Sequence, residues 1–250
     1  MAKRAIPEIN AGSMADIAFL LLLFFLVTTT MDRDQAYVRK IPKKIDVPLD
    51  QDVEVEKRNI LAIKANNQNQ LMVRGEVFSD PSKISEFILK FYQTNEKVND
   101  PSNNFPMYST TTLALCEQQM TELDSQIEEA ERVGNSKLAE FFLSSYDEWN
   151  KKKQALKLYG KDEMRELAVQ AHIRIEVQEQ TAYSIFSQIH NEIEEAIFEL
   201  RDKECMRLFS ESYGILKRRH AQDSDPKDKS KLDLLEILYP ARIIEVTPKN

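Results

Sequence analysis

The amino-acid sequence predicts a membrane-anchored α+β protein with one N-terminal transmembrane helix, a linker and a small extracytoplasmic α/β domain that carries a helical-hairpin insertion. Three observations predict this fold class. A strongly apolar segment lies near the start of the chain, strand-like and helix-like patterns alternate after residue 57, and two long helical patterns interrupt that alternation. No internal repeat is visible.

The apolar segment runs from Ile9 to Met31, and Asp16 is its one charged residue. A helix of that length would extend about 34 Å at a rise of ~1.5 Å per residue, which is enough to cross the hydrocarbon core of a bilayer. Residues 13–31 are therefore predicted to form a transmembrane helix, preceded by a short tail over residues 1–12.

Two other interpretations of this segment are weaker. Lys3 and Arg4 resemble the basic start of a cleavable signal peptide, but no small-residue cleavage pattern follows the apolar run. A buried helix of a soluble core would need apolar surroundings that the rest of the chain does not supply. Because the same two basic residues precede the segment, the positive-inside rule favours a cytoplasmic N-terminus.

Asp16 is the residue in this segment that needs an explanation. An ionised carboxylate near the middle of a spanning helix costs about 2.5–3.5 kcal/mol on insertion scales, so such groups usually face a protein interior or a wet cavity. In that setting the neutral form is favoured, and the carboxyl can take up and release a proton. The alternative is that Asp16 lies at the membrane interface and is simply hydrated.

Composition excludes several classes of function. The net charge of -7 and the absence of a Lys/Arg run argue against a nucleic-acid partner. The five glycines form no phosphate-binding pattern, and the three scattered histidines give no metal-ligand spacing. Cys116 and Cys205 are either bridged or two separate buried thiols, and the second is favoured. No catalytic set emerges, so neither an enzyme nor a cofactor is expected.

The rest of the chain divides into a linker, a domain and an insertion. Residues 32–57 contain two prolines and no helical stripe, which predicts an extended linker. Residues 58–95 and 169–250 predict the α/β domain. Its expected elements are strands at 59–64 and 70–74, a helix after Asp80-Pro81-Ser82, a strand at 171–177, a helix at 181–209, a charged loop at 220–231 and a strand at 241–246.

The insertion, residues 96–168, begins with a polar loop and continues as two helical patterns joined at Gly134. The first has apolar positions three and four residues apart, and the second carries the aromatic residues Phe141, Phe142 and Trp149. These patterns predict a helical hairpin that buries its own apolar faces, and hence an accessory device that can be removed from the domain.

The start of the chain resembles the ExbD/TolR family of biopolymer-transport proteins. The resemblance is carried by PEIN, residues Pro7–Asn10, and by SMADIAFLLLLFFLVTTT, residues Ser13–Thr30. It implies that Asp16 is the protonatable aspartate of the family and that Thr28–Thr30 is the polar exit of the span. One departure is Ser13-Met14-Ala15, where Pro-Leu-Ile is commoner in the family, and it affects the start of the helix.

Further along, IDVPLD at Ile45–Asp50 is similar to a Val-x-Leu-Pro-like strand of the family, with Pro and Leu exchanged. The strand and helix order of 59–94, 171–207 and 241–246 also looks like the family's periplasmic domain. The insertion has no place in the family's short members. The resemblance thus implies that Val47, Pro48 and Leu49 form a linker strand that pairs with a partner. It also implies a polar lining of the span, made by Ser13, Thr28, Thr29 and Thr30.

The function implied is that of a subunit of a proton-motive-force-driven motor in a bacterial inner membrane, single-pass, with the C-terminal domain in the periplasm. The expected partners are an ExbB/TolQ-like multi-span pentamer, a second copy of this chain, and a TonB- or TolA-like protein. Protons are the coupling ion, and Asp16 carries them. The alternative is a membrane-anchored structural or adaptor protein without an ion-conducting role. A flagellar-stator subunit would share the span, but no cell-wall-binding domain is recognisable.

Overall fold

The structure, a computed structural model, describes residues 11–29 and 56–246. The chain divides into two compact units, Met1–Asp46 and Val47–Asn250. In the first unit the described part is one helix, α1 (Ala11–Thr29), so the prediction of a helix here is confirmed and its start lies two residues earlier than expected. Within the two described ranges, no helix combines the length and the apolarity that crossing a membrane requires.

The second unit combines two sheets with six helices in its described residues. The strands are β1 (Ile60–Ala65), β2 (Leu71–Val73), β3 (Glu76–Phe78), β4 (Tyr108–Thr112), β5 (Glu163–Leu167), β6 (His172–Val177) and β7 (Ile243–Val246). The helices are α2 (Lys83–Gln93), α3 (Leu113–Arg132), α4 (Ser136–Tyr159), α5 (Tyr183–Phe209), α6 (Tyr213–Asp223) and α7 (Pro226–Leu238).

The larger sheet has the strand order β3-β2-β1-β6-β7, with β1, β6 and β7 parallel and the first hairpins antiparallel. Alternation along β1 buries Leu61 and Ile63, and alternation along β6 buries Ile173 and Ile175. Since successive strand residues point to opposite faces, these side chains share one face of the sheet. Helices α2 and α5 contribute to the same core, which makes this part of the unit a two-layer α/β structure.

Two predictions about secondary structure were wrong. The polar stretch after residue 96 ends in β4, which pairs antiparallel with β5, whereas only a loop and helices were expected there. The loop expected at 220–231 is instead the end of α6 and the start of α7. Asp225 caps α7 by accepting a hydrogen bond from the Lys227 backbone N–H at 2.8 Å, and Pro226 occupies its first turn. Lys227 and Lys229 face outward, while Asp228, Leu234 and Leu235 are buried.

The seam expected on the first helix of the insertion is buried at Cys116, Leu123 and Ala130 of α3, which packs on α4. The expectation that the insertion stands off the domain, however, is wrong. Five residues of segment 96–168 belong to the main core, and they come from β4, from the end of α4 and from β5: Tyr108, Ala155, Leu156, Met164 and Leu167. Phe141, Phe142 and Trp149 are only partly buried, so they do not form a closed core between α3 and α4. The base of the insertion is therefore part of the domain, and only its tip is separate.

Both cysteines are free and buried, as the sequence favoured. Cys205 belongs to a small second cluster with Tyr213, Leu216 and Leu235, which joins α5 to α6 and α7. Next to this cluster the Arg201 side chain, 8% exposed, donates from Nε and Nη2 to the Tyr239 carbonyl at 3.1 and 2.8 Å. Its Nη1 donates to the Tyr213 hydroxyl at 3.1 Å. One buried guanidinium thus fixes the end of α7 against α5.

Replacing Arg201 by Met is expected to lower the free energy of unfolding by about 1–3 kcal/mol, because the Tyr239 carbonyl is left buried without a donor. Chemical denaturation of the full chain measures this loss. Arg218→Met is the matched control, since Arg218 is exposed and its Nε makes one long hydrogen bond of 3.4 Å within its own helix. Equal midpoints for the two variants would show that the Arg201 contacts contribute no net stability.

Candidate functional site

The predicted proton-carrying residue, Asp16, lies in the first half of α1, three residues after Ser13. About one helical turn separates their backbone positions. Thr28 and Thr29 lie at the other end of α1, and the side chains of these four residues are outside what the structure describes. Thr30 and the predicted linker strand, Val47, Pro48 and Leu49, lie outside the described residues altogether. The structure thus places Asp16 in a helix and leaves its surroundings as a prediction.

The middle of α1 exposes an uninterrupted run of apolar side chains from Ile17 to Phe25. Leu22, for example, is 62% exposed and Phe25 is 61% exposed. Because nine consecutive residues cover every direction around a helix, this is an apolar cylinder and not an amphipathic face. A helix that is apolar on all sides is typical of a buried core helix or of a membrane span.

The second unit contains a groove with a volume of about 630 Å³. It lies between the β4–β5 sheet, the ends of α2, α4 and α7, and the C-terminal half of α5. We name it the tyrosine groove. Its lining comes from five parts of the chain: Gln93, Glu96, Lys97, Tyr108, Tyr159, Lys161, Glu163, Arg165, Leu200, Lys203, Glu204, Arg207, Leu238 and Tyr239. Several of these residues belong to the insertion, so the groove exists only because β4 and β5 pack onto the α/β layers.

The floor of the tyrosine groove is fixed by hydrogen bonds from tyrosine hydroxyls. The Tyr108 hydroxyl donates to the Tyr92 carbonyl at 2.6 Å, and the Tyr92 hydroxyl donates to the Pro240 carbonyl at 2.5 Å. The Tyr239 hydroxyl donates to Oε1 of Glu96 at 2.6 Å. These contacts link α2, β4 and the segment before β7, so the floor is rigid.

Burial keeps these hydroxyls protonated. Burial raises the pKa of Tyr92 to about 12, and it raises the pKa of Tyr108 well above its ordinary value. For Tyr239, burial and then the hydrogen bond to the Glu96 carboxylate raise the pKa. All three tyrosines therefore act as hydrogen-bond donors at physiological pH, and none is prepared to act as a base.

The rim of the groove is basic. Its lining carries five cationic side chains, from Lys97, Lys161, Arg165, Lys203 and Arg207, and three carboxylates. Among the residues that the structure describes, no group of acidic, histidine or cysteine side chains is arranged to hold a metal ion. The groove has the chemistry of an anion-binding surface.

Comparison with known protein families gives one match. The family described as ExbD, biopolymer transport protein ExbD/TolR, matches residues 2–200. The chain belongs to the ExbD/TolR family. The suspected resemblance is thereby confirmed, and membership assigns the protein to biopolymer transport in a complex with other proteins. No curated protein and no solved structure matches the chain.

The match runs from the N-terminal tail through α1, the first six strands and most of α5. Helices α6 and α7 and strand β7 lie beyond it. The match therefore includes Asp16, which sequence reasoning found because a charge within an apolar run is conspicuous. The tyrosine groove was missed, and no sequence signal marks it, because its lysines are separated by tens of residues and meet only in the fold.

Proposed function

We propose that this ExbD/TolR-family protein is a subunit of a proton-motive-force-driven motor of the inner membrane. The observation that carries the proposal is the position of Asp16, the one ionisable residue within the apolar helix α1, in the part of the chain that matches the family. In this proposal the complete segment Ile9–Met31, which is longer than the described α1, crosses the membrane. Residues 1–12 face the cytoplasm and the second unit lies in the periplasm.

Asp16 carries protons in this mechanism. A carboxyl that is neutral when enclosed can move through an apolar environment, and it can ionise when it meets an aqueous path. A proton that crosses a potential of 100 mV releases about 2.3 kcal/mol, and repeated loading and unloading at one site converts this energy into movement of the helix. Ser13 and Thr28–Thr30 supply polar groups at the two ends of the segment. No enzymatic step and no cofactor are involved.

The energetics of Asp16 and of the apolar cylinder also determine the partners. A helix with a carboxyl in lipid is costly, whereas a cavity lined by partner helices relieves that cost. We therefore propose that α1 is enclosed by an ExbB/TolQ-like multi-span pentamer, together with the α1 of a second copy. Val47, Pro48 and Leu49 pair with a partner strand, and the second unit passes the work to a TonB- or TolA-like protein.

Fractionation of native membranes tests this proposal. We expect the wild-type protein to resist alkaline extraction and to purify in mild detergent as two copies bound to a multi-span protein. Leu22→Arg places a charge within the apolar run, where it costs about 2.5–3.5 kcal/mol, and should release the protein or prevent its insertion. Leu143→Arg, at a residue that is 52% exposed in the second unit, is the matched control and should fractionate like the wild type.

Two results would contradict the proposal. Release of the wild-type protein by alkaline extraction would exclude a spanning segment. Isolation of a stable single copy from native membranes, with no multi-span partner, would favour the adaptor function over the motor.

A further inference from the structure

The tyrosine groove has a counterpart in the sequence of the same chain. We propose that the groove binds the acidic segment immediately before β1, residues 50–54, and so fixes the end of the linker to the second unit. Three features support this: the positive charge of the groove, the negative charge of the segment, and the position at which the chain enters the larger sheet. The proposal does not depend on proton transport.

Among the residues that the structure describes, the groove lining has a surplus of positive charge, with five cations against three carboxylates. Glu204 is already engaged, because Arg207 donates to its two oxygens at 2.8 and 2.5 Å. Glu96 accepts from the Tyr239 hydroxyl. By contrast, Lys97, Lys161 and Lys203 are exposed on the rim, and within residues 11–29 and 56–246 none of them has a carboxylate at ion-pair distance.

The segment has the opposite charge. Asp50, Asp52, Glu54 and Glu56 alternate with uncharged residues, and no Lys or Arg occurs between residues 45 and 56. Glu56 pairs with Arg58, its Oε2 lying 3.2 Å from Nε, so the carboxylates available to the groove are the first three. The three rim lysines are thus matched in number by the three carboxylates of the segment. In a chain of net charge -7, this match of opposite charges is local and not a general property of the surface.

The topology brings the start of β1 to the edge of the sheet at which part of the groove lies. Strands β1, β6 and β7 are parallel, with Ile60 beside His172 and Ile173 beside Ile243, so they begin at the same edge of the sheet. The groove residue Tyr239 and its neighbour Pro240 lie just before β7, at that edge. The chain enters β1 at the same edge. Residues 57–59 form a single 3-10 turn, so free chain begins before Glu56. At about 3.3–3.6 Å per residue, residue 50, six residues earlier, reaches up to about 20–22 Å from Glu56.

The nature of the rim favours a polypeptide occupant. Lysine ammonium groups are point charges on flexible stems, which adapt to successive carboxylates along a chain. A dedicated site for a small anion instead has a few donors that converge on one point within an enclosed pocket. The tyrosine groove has its lysines spread around an open rim, while the hydroxyls of Tyr108 and Tyr239 are occupied by protein acceptors.

Carbodiimide cross-linking of the full chain in mild detergent, followed by peptide mass spectrometry, tests the proposal. This reagent joins a carboxylate to an amine only where the two are in contact. We expect amide links from Asp50, Asp52 or Glu54 to the rim lysines. The yield should fall several-fold between about 0.05 M and about 0.5 M salt, because exposed charges are screened over a shorter distance at high salt.

The controls are present in the same molecule. Lys64 and Glu176, with Nζ 2.8 Å from Oε2, must give a link in every sample. Changing Lys97 to Glu should lower the yield of links to Lys161 and Lys203 several-fold, because both amines remain while the positive charge of the rim falls. The same reversal at Lys137, which is exposed and outside the groove, alters the net charge equally and should leave the new links unchanged. Asp16→Asn should also leave them unchanged, which separates this proposal from the motor.

Three results would overturn the proposal. One is the absence of links from the segment when Lys64 and Glu176 are linked. Another is an undiminished yield of links to Lys161 and Lys203 in the Lys97→Glu variant. The third comes from mixing isotope-labelled and unlabelled chains: links between labelled and unlabelled peptides would show that the segment belongs to a second copy, whereas links within one label place it in its own chain.

Discussion

Asp16→Asn is expected to abolish energised transport completely while leaving the protein level and the complex unchanged. Asparagine has the size of aspartate and resembles its neutral form, so packing of α1 is preserved. It cannot release a proton, and the cycle of loading and unloading stops. The measurement is proton-motive-force-dependent uptake in cells that carry the variant as the sole copy, with the complex quantified in the same membranes.

Two further variants show whether the effect belongs to the carboxyl at this position. Asp16→Glu keeps a titratable group and should retain part of the transport, since only the reach of the carboxyl changes. Asp34→Asn removes a carboxylate that follows the apolar segment and should have no effect. Normal transport in Asp16→Asn cells would exclude the proton-carrying role, even though the chain belongs to a transport family.

The elements predicted correctly are those in which the regularly spaced apolar residues are also the residues that the structure buries. In α2, Ile84, Ile88 and Phe91 recur at helical spacing, and all three are buried in the structure. In β6, strict alternation places Ile173 and Ile175 on one face, and both are buried. Local pattern and tertiary environment agree at these positions, so the sequence alone is sufficient to predict them.

The elements that were missed depend on partners far away in the chain. Strand β4 reads as polar, YSTTT, and it is a strand because β5 pairs with it across more than fifty residues. Charged residues dominate the start of α7, and its helical state depends on a cap at Asp225 and on Leu234, which is buried in the main core. The spacing of apolar residues within a ten-residue window does not show which distant strand pairs with β4 or which core buries Leu234.

The same distinction applies to the two candidate sites. Asp16 stands out against its immediate neighbours, so a local pattern is enough to find it. Lys97, Lys161 and Lys203 have ordinary polar neighbours, and their shared rim is a consequence of how α2, α4 and α5 end around β5. Position in the sequence gives no indication that these three residues are close together.

Replacing segment 97–168 by a short Gly/Ser linker is expected to prevent the second unit from folding, contrary to the accessory role that the sequence suggested. The deletion removes Tyr108, Leu156, Met164 and Leu167 from the main core. Removing the Leu156 side chain alone, as Leu156→Ala, costs about 2–5 kcal/mol, and a domain is stable by only about 5–15 kcal/mol.

A second deletion, confined to the tip of the hairpin, is expected to leave the fold intact and provides the control. Glu117 and Lys153 form an ion pair of 2.9 Å between α3 and α4, which shows that residues near 123 and 147 face each other across the hairpin. Replacing 124–146 by a short Gly-rich turn keeps Leu123 and every insertion residue of the main core.

Circular dichroism and thermal unfolding, with each deletion made in the otherwise complete chain, measure the difference between the two variants. The tip deletion should melt cooperatively near the wild-type temperature, and the longer deletion should show no cooperative transition. If both deletions melt like the wild type, the core contacts of the base are dispensable and the hairpin is an accessory after all. If neither folds, the tip itself is needed, since Ala130 is the buried residue that the shorter deletion takes away from α3.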